Sequence, residues 1–271
     1  MNDAPRFDDL FSIRGKVALV TGGSRGIGEM IAAGFMAAGA KVYISSRKAS
    51  ACDETAARLS AAYGGECIAL PADLSKLDGV KSLAAAITAR ESRLDILVNN
   101  AGASWGAPLD EFPEVGWDKV MDTNVKGVFF LTQALLPLLR ASAATGSPAR
   151  VINIGSIDGI KTSVFDAFSY GASKAAVHHL TRFMAAHLTP ERILFNAIAP
   201  GPFPTWMLST GVGFGGETEN VDWNQVGARN PSRRVGTPQD IAGLAIFLCS
   251  RAGEYVVGQT IACDGGSVAA S

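Results

Sequence analysis

The chain of 271 residues has little charge and almost no imbalance in it. Lys and Arg number 24 and Asp and Glu 25, a formal net charge of −1, so no cationic surplus exists to neutralise a phosphate backbone or an anionic bilayer. Nucleic acid and membrane surfaces are therefore excluded as expected partners. Cysteine and histidine are also scarce. The four Cys (52, 67, 249 and 263) lie far apart with no C-x-x-C, and two of the three His are neighbours (His178, His179), which offers neither a disulfide framework nor metal-ligand spacing. Reduced thiols and a cytoplasmic location are expected. The N-terminus, MNDAPRFDDLFSIRGK, is acidic and polar where a secretory signal would be basic and then apolar. No run approaches the ~18 uncharged apolar residues of a membrane span.

What is present is apolar surface and glycine. Apolar residues reach 48% and charged ones only 18%, against a usual ~25%, so much surface must be hidden inside the fold or between subunits. The 30 glycines are too few and too irregular for collagen, but they point to several backbone positions of unusual geometry. Disorder and fibrous repeats are excluded.

The chain alternates short apolar runs with helical patterns. Candidate strands are Lys16 to Val20, Val42 to Ser46, Cys67 to Leu70, Leu94 to Val98, Arg150 to Ile154, Ile193 to Ile198 and Thr260 to Cys263. Helical patterns follow them, among them about 76–90, 117–140 (kinked or interrupted near Pro137), 168–188 and 238–248. Uninterrupted apolar strands separated by helices imply a parallel sheet covered on both faces. With no linker or repeat, the reading is a single α/β domain over 1–271, a doubly wound, Rossmann-like sheet. Residues 202–236 break the rhythm: Pro202, Pro204 and Pro231 accompany Trp206, Met207, Leu208, Phe214 and Trp223 without a period, as expected of a substrate loop or lid.

Between the first strand and the first helix stands Thr21-Gly22-Gly23-Ser24-Arg25-Gly26-Ile27-Gly28, a T-G-x-x-x-G-x-G turn. Small residues there let the backbone approach a pyrophosphate, and the helix N-terminus offers free N–H groups. Gly22, Ser24, Arg25, Gly26, Ile27 and Gly28 are thus expected to line a dinucleotide. The second strand ends Ser45-Ser46-Arg47 with no carboxylate to accept the ribose hydroxyls. Arg47 and Arg25 can instead clamp a 2'-phosphate, so NADP(H) is the expected cofactor. Asp73, followed by Leu74, can accept from an adenine amine or cap the next helix.

Tyr170 and Lys174 are four residues apart on a predicted helix, so the ammonium can stabilise a phenolate and bring the tyrosine pKa down from ~10 toward the working range. Such a tyrosine exchanges protons with a substrate oxygen. Ser156 lies just past an apolar strand, at the edge where open parallel sheets bind ligands.

These motifs, with Asn99-Asn100-Ala101-Gly102, Thr123-Asn124-Val125 and N-A-I-A-P-G from Asn196 to Gly201, together resemble the short-chain dehydrogenase/reductase family over nearly the whole chain. The resemblance implies a strand order of 3-2-1-4-5-6-7, hydride transfer to or from a nicotinamide ring and a homotetramer. It makes Tyr170 the general acid/base, Lys174 the ribose-binding partner that lowers its pKa, Ser156 the holder of the substrate oxygen, and Asn124 the support of a proton-relaying water. Asn100, Ala101 and Gly102 would line the cofactor, and Ile198, Phe203 and Thr205 would meet the nicotinamide carboxamide or phosphates around Pro200 and Gly201. Several segments are most similar to NADPH-dependent β-ketoacyl reductases, which makes a 3-oxoacyl-type ketone the expected substrate. A sugar or polyol dehydrogenase and a catalytically idle NADP-binding sensor are the alternatives.

Overall fold

The structure, a computed structural model, describes residues 7–212 and 221–271. Seven strands are present: β1 (Val17–Thr21), β2 (Lys41–Ser45), β3 (Cys67–Ala69), β4 (Ile96–Asn99), β5 (Ala149–Ile154), β6 (Ile193–Pro200) and β7 (Thr260–Cys263). They form one sheet of order β3-β2-β1-β4-β5-β6-β7 in which every pair is parallel. The main helices are α1 (Gly26–Ala37), α2 (Ala49–Tyr63), α3 (Leu77–Thr88), α4 (Glu114–Met121), α5 (Gly127–Ala143), α6 (Phe168–Leu188), α7 (Trp223–Ala228) and α8 (Pro238–Cys249).

The period-2 alternation of strand side chains divides the core into two layers. Ala18 and Val20 of β1 face Ile31 and Phe35 of α1 and Ile241 and Leu248 of α8. Val17 and Leu19 face the other way, into Leu83 and Ile87 of α3 and Leu131, Leu135 and Leu139 of α5. Both faces are buried, which is why the strands read as continuous apolar runs. No helix among the described residues is long and apolar enough to cross a membrane.

Two expectations change. The helical stretch predicted near 117–140 is unbroken at Pro137, which sits inside α5. The interruption falls earlier, in a π-helical turn over Asp122–Lys126 between α4 and α5, where i→i+5 pairing widens the helix and Asn124 is the buried residue. The 202–236 segment also carries local helix, a π-helical stretch Met207–Val212 and α7, in its described part. Residues 213–220, Phe214 among them, lie outside the described residues.

The strand order reverses at β1, whose neighbours are β2 and β4. At this switch point the chains leaving β1 and β4 diverge and open a crevice at the carboxyl edge of the sheet.

Candidate active site

The turn after β1 folds back on the turn after β4. Gly22 and Gly26 have φ of +63° and +58°, a region that side chains disfavour. A Cβ on Gly22 would come within 2.8 Å of Asn100 Nδ2, and one on Gly28 would overlap the same amide. Asn100 Nδ2 donates to the carbonyls of Thr21 at 2.8 Å and Gly22 at 3.2 Å, while Thr21 Oγ1 accepts from the amides of Asn100 and Ala101 at 2.9 and 3.0 Å. The Asn100 side chain thus supports the glycine turn from behind. Helix α1 starts at Gly26 after an extended Arg25, with no side chain capping it, so its first N–H groups face the crevice.

The chemical side chains gather beyond β4 and β5. Lys174 is buried on α6 and donates from Nζ to the carbonyl of Ile154, the last residue of β5, at 2.8 Å. The same nitrogen lies 5.3 Å from the centroid of the Tyr170 ring. Ser156 Oγ accepts from the amide of Asp158 at 3.1 Å, which leaves its own proton for the Tyr170 phenol it also bonds. Asn124 is fixed by three bonds: Oδ1 accepts from the Ala103 amide at 2.8 Å, and Nδ2 donates to the Ala103 carbonyl at 3.0 Å and to Ser173 Oγ at 2.9 Å. Gly102 presents a bare Cα to this group, and a Cβ there would stand 3.5 Å from Asn124 Oδ1 and 3.9 Å from Lys174 Nζ.

The electrostatics differ from the sequence expectation. Burial pushes the Tyr170 phenol up to about 12; the Ser156 hydrogen bond lowers it and the Asp158 carboxylate raises it further. The Lys174 ammonium, over the ring and bonded to Ile154, does not bring it down. Lys174 is itself lowered to about 8 by burial, with Asp158 opposing. Burial in turn raises the Asp158 carboxyl against the pull of Lys161 and Lys174.

At the far end of the crevice, beyond β2, Arg25 and Arg47 are both exposed and close enough that Arg47, after burial, lowers the Arg25 pKa. Ser46 Oγ is turned to the Lys48 carbonyl at 3.2 Å. Asp73 Oδ1 accepts from Ser75 Oγ at 2.8 Å and from its amide at 3.2 Å, closing a turn just ahead of α3. Burial works against that carboxylate, but Ser75, Arg47 and Lys76 keep its pKa below the usual range. Leu74 is buried with the core.

After β6, Pro200 and Gly201 carry the chain over the same edge. Gly201 passes so near Asp264 that a Cβ would lie 2.7 Å from its Cα. Phe203 is buried under Gly236, so its ring belongs to the core and only its main chain can face a ligand. Ile198 is wholly buried. The Thr205 methyl rests on the glycine turn, where a Cβ on Gly26 would meet it at 3.3 Å. The next residue, Trp206, stacks on the Arg25 guanidinium at 4.2 Å from ring centroid to carbon. The start of the 202–236 segment therefore leans on the glycine turn.

The structure also brings Ser173, Asp158 and His178 to the site, none of which was given a role from sequence, and sets Trp206 of the expected substrate loop on Arg25. Ser173 and His178 carried a legible signal, since they flank Lys174 at one and four residues on the same helix. Asp158 carried none, because the groups its carboxyl acts on, Tyr170 and Lys174, come from α6.

A family model described as enoyl-(acyl carrier protein) reductase matches residues 22–268. Over 256 residues the chain is 51% identical to the rhamnolipids biosynthesis 3-oxoacyl-(acyl-carrier-protein) reductase of Pseudomonas aeruginosa, covering 94% of this chain and 97% of that protein. It is 38% identical over 263 residues to the gluconate 5-dehydrogenase of Gluconobacter oxydans, covering 95% and 96%. Among solved structures, the Pseudomonas aeruginosa RhlG/NADP active-site complex superposes with a TM-score of 0.89 at 50% identity, covering 97% of this chain and 100% of that one.

Proposed function

Because the chain belongs to the short-chain dehydrogenase/reductase family, we propose that it uses NADPH to reduce a 3-oxoacyl-type ketone to the secondary alcohol. The observation that carries this reading is the convergence of Tyr170, Ser156 and Lys174 on the crevice that the glycine turn and the uncapped end of α1 also line. A sensor needs the turn and has no use for the acid/base set.

The residues present fit the cofactor. The bare face of Gly102 before Lys174 and Asn124 leaves the depth that a ribose needs. Arg25 and Arg47, two like charges with no carboxylate on Ser45 or Ser46 between them, suit a 2'-phosphate. Gly22, Ser24, Arg25, Gly26, Ile27 and Gly28 with Asn100, Ala101 and Gly102 form the cradle, and the main chain from Pro200 to Thr205 closes it. When bound, NADPH supplies the hydride to the carbonyl carbon.

Tyr170, protonated throughout the neutral range, gives its proton to the carbonyl oxygen as charge develops there. Ser156 donates its hydroxyl hydrogen bond to the same oxygen. Lys174, its ammonium 5.3 Å from the Tyr170 ring, would hold the ribose hydroxyls. Asn124 holds the Ala103 backbone and Ser173, and through them the wall on which a relay of protons to Lys174 depends.

The substrate class is supported by apolar side chains at the start of the Tyr170 helix: Phe168, two residues before Tyr170, is exposed, and Phe112 packs edge-on against it at 6.0 Å. The substrate-loop segment expected at 202–236 belongs to the same single catalytic domain. The protein works as a cytoplasmic homotetramer, and Trp117 and Phe183, exposed on α4 and α6, are the side chains it would cover. A substrate panel of 3-oxoacyl thioesters, diketones, quinones and oxidised sugars, each with NADPH and NADH, tests the assignment. Highest kcat/KM with a 3-oxoacyl thioester and NADPH is expected, and preference for an oxidised sugar would replace it. Sedimentation at micromolar concentration tests the assembly, which a stable monomer would contradict.

A further inference from the structure

The sequence from Tyr170 reads Y-x-x-x-K-x-x-x-H, so Tyr170, Lys174 and His178 occupy successive turns on one face of α6. The first two face the reaction. His178 lies one turn deeper, buried to 4% exposure behind the strand-to-turn junction that carries Ser156. Its Nε2 accepts the backbone amide of Ser156 at 3.4 Å, which places the ring proton on Nδ1, and the main chain of Gly159 also hydrogen-bonds the ring.

The residues around the ring are shaped to it. A Cβ on Gly155 would overlap Nε2, and one on Gly159 would stand 2.8 Å from Cε1. Neither glycine has a positive φ; the missing side chain of Gly155 answers the imidazole, and that of Gly159 answers the α6 main chain at Lys174 and Ala175 as well as the ring. The charged groups facing the ring are Lys174 and Arg182. Burial first, then Lys174, hold the imidazole down to about 4, so that it stays a neutral acceptor wherever the enzyme works.

We infer that His178 is a positioning residue for Ser156, its imidazole fixing the turn Gly155 to Gly159 so that the serine hydroxyl meets the substrate oxygen beside Tyr170. The inference rests on the reading of Ser156 given above. The hydroxyl is held at two points of one turn: the Ser156 amide is fixed to His178, and Ser156 Oγ is fixed to the amide of Asp158. Losing the first point leaves a buried N–H unpaired and lets the turn move, and a displacement of about 1 Å at such a group costs on the order of 10²-fold in rate.

The test compares His178→Leu, His178→Gln, Ser156→Ala and the double variant Ser156→Ala/His178→Leu, with NADPH and acetoacetyl-CoA as the 3-oxoacyl probe. Leu fills the space without an acceptor, whereas Gln Oε1 reaches the place of Nε2. His178→Leu is expected to lower kcat about 10- to 100-fold while the NADPH dissociation constant, read by fluorescence titration, stays within about twofold. His178→Gln recovers most of kcat. In the Ser156→Ala background His178→Leu has almost no further effect, because its action passes through the serine. A His178→Leu enzyme within twofold of wild type overturns the inference, as does a Gln variant as slow as Leu, or a Leu effect of equal size with and without Ser156. A fully active Ser156→Ala enzyme overturns the reading of the serine itself. Should His178→Leu fail to fold by circular dichroism, His178→Met supplies the apolar replacement under the same criteria.

Discussion

At Tyr170, burial and the Asp158 carboxylate keep the proton on the phenol, so the side chain is armed for donation in the direction of reduction. Tyr170→Phe keeps the ring and removes the proton; kcat is expected to fall by at least ~10²-fold with NADPH binding nearly unchanged, measured by turnover and by titration. Asp158 acts on both neighbours, raising Tyr170 and opposing the depression of Lys174. The Lys174 ammonium is fully present below pH 8 and is lost as pH rises through about 8, so reduction weakens above that value. In Asp158→Asn the support for the ammonium is gone, Lys174 titrates lower still, and the alkaline limb of the kcat profile moves down by about one pH unit. An unmoved limb in that variant would show that Lys174 does not set it. Spacing in the sequence was enough to place Tyr170 and Lys174 on one face. It could not give the direction of the tyrosine shift, which is set first by burial and raised further by a carboxylate from another turn.

Among the elements, α6 and β7 were legible to the residue and the other strands to within two or three, because uninterrupted apolar runs mark strands that are buried on both faces. The interruption between α4 and α5 was not legible. Proline is the visible breaker, yet Pro137 is absorbed by α5, while the turn that does break register, Asp122–Lys126, has no proline and only one glycine, immediately after it. What holds that turn is tertiary: the buried Asn124 amide pairs both backbone groups of Ala103 and reaches Ser173 on α6. Asn124→Ala strands these partners, and a loss of ~2 to 4 kcal/mol in unfolding free energy by urea denaturation is expected, together with a lower kcat. Asn124→Asp should be no milder than Ala, since its second oxygen replaces the donor to the Ala103 carbonyl and buries a charge there.

At the scale of the whole molecule, cofactor choice depends on parts far apart in sequence, Arg25 after β1 and Arg47 after β2, with Trp206 arriving from beyond β6. Arg47→Ala should weaken NADPH by about 10-fold or more while leaving NADH little changed, because one charge-assisted phosphate bond is lost and nothing else. Added salt should erode the wild-type preference, as the site is exposed; a variant losing both cofactors equally would remove Arg47 from this role. The strand order has a separate consequence, for the chain's life before it is complete. β1 is central, and its second edge is covered only when Ile96–Asn99 arrives, Ala18 pairing with Ile96. Until then a growing polypeptide carries a largely apolar strand with one open side, the arrangement that templates intermolecular β-pairing. A fragment ending at residue 93 is therefore expected to aggregate on expression, and extension through residue 99 alone should not rescue it. β4 needs β5, β5 needs β6 and β6 needs β7 in turn, so solubility should return only once the chain reaches Cys263.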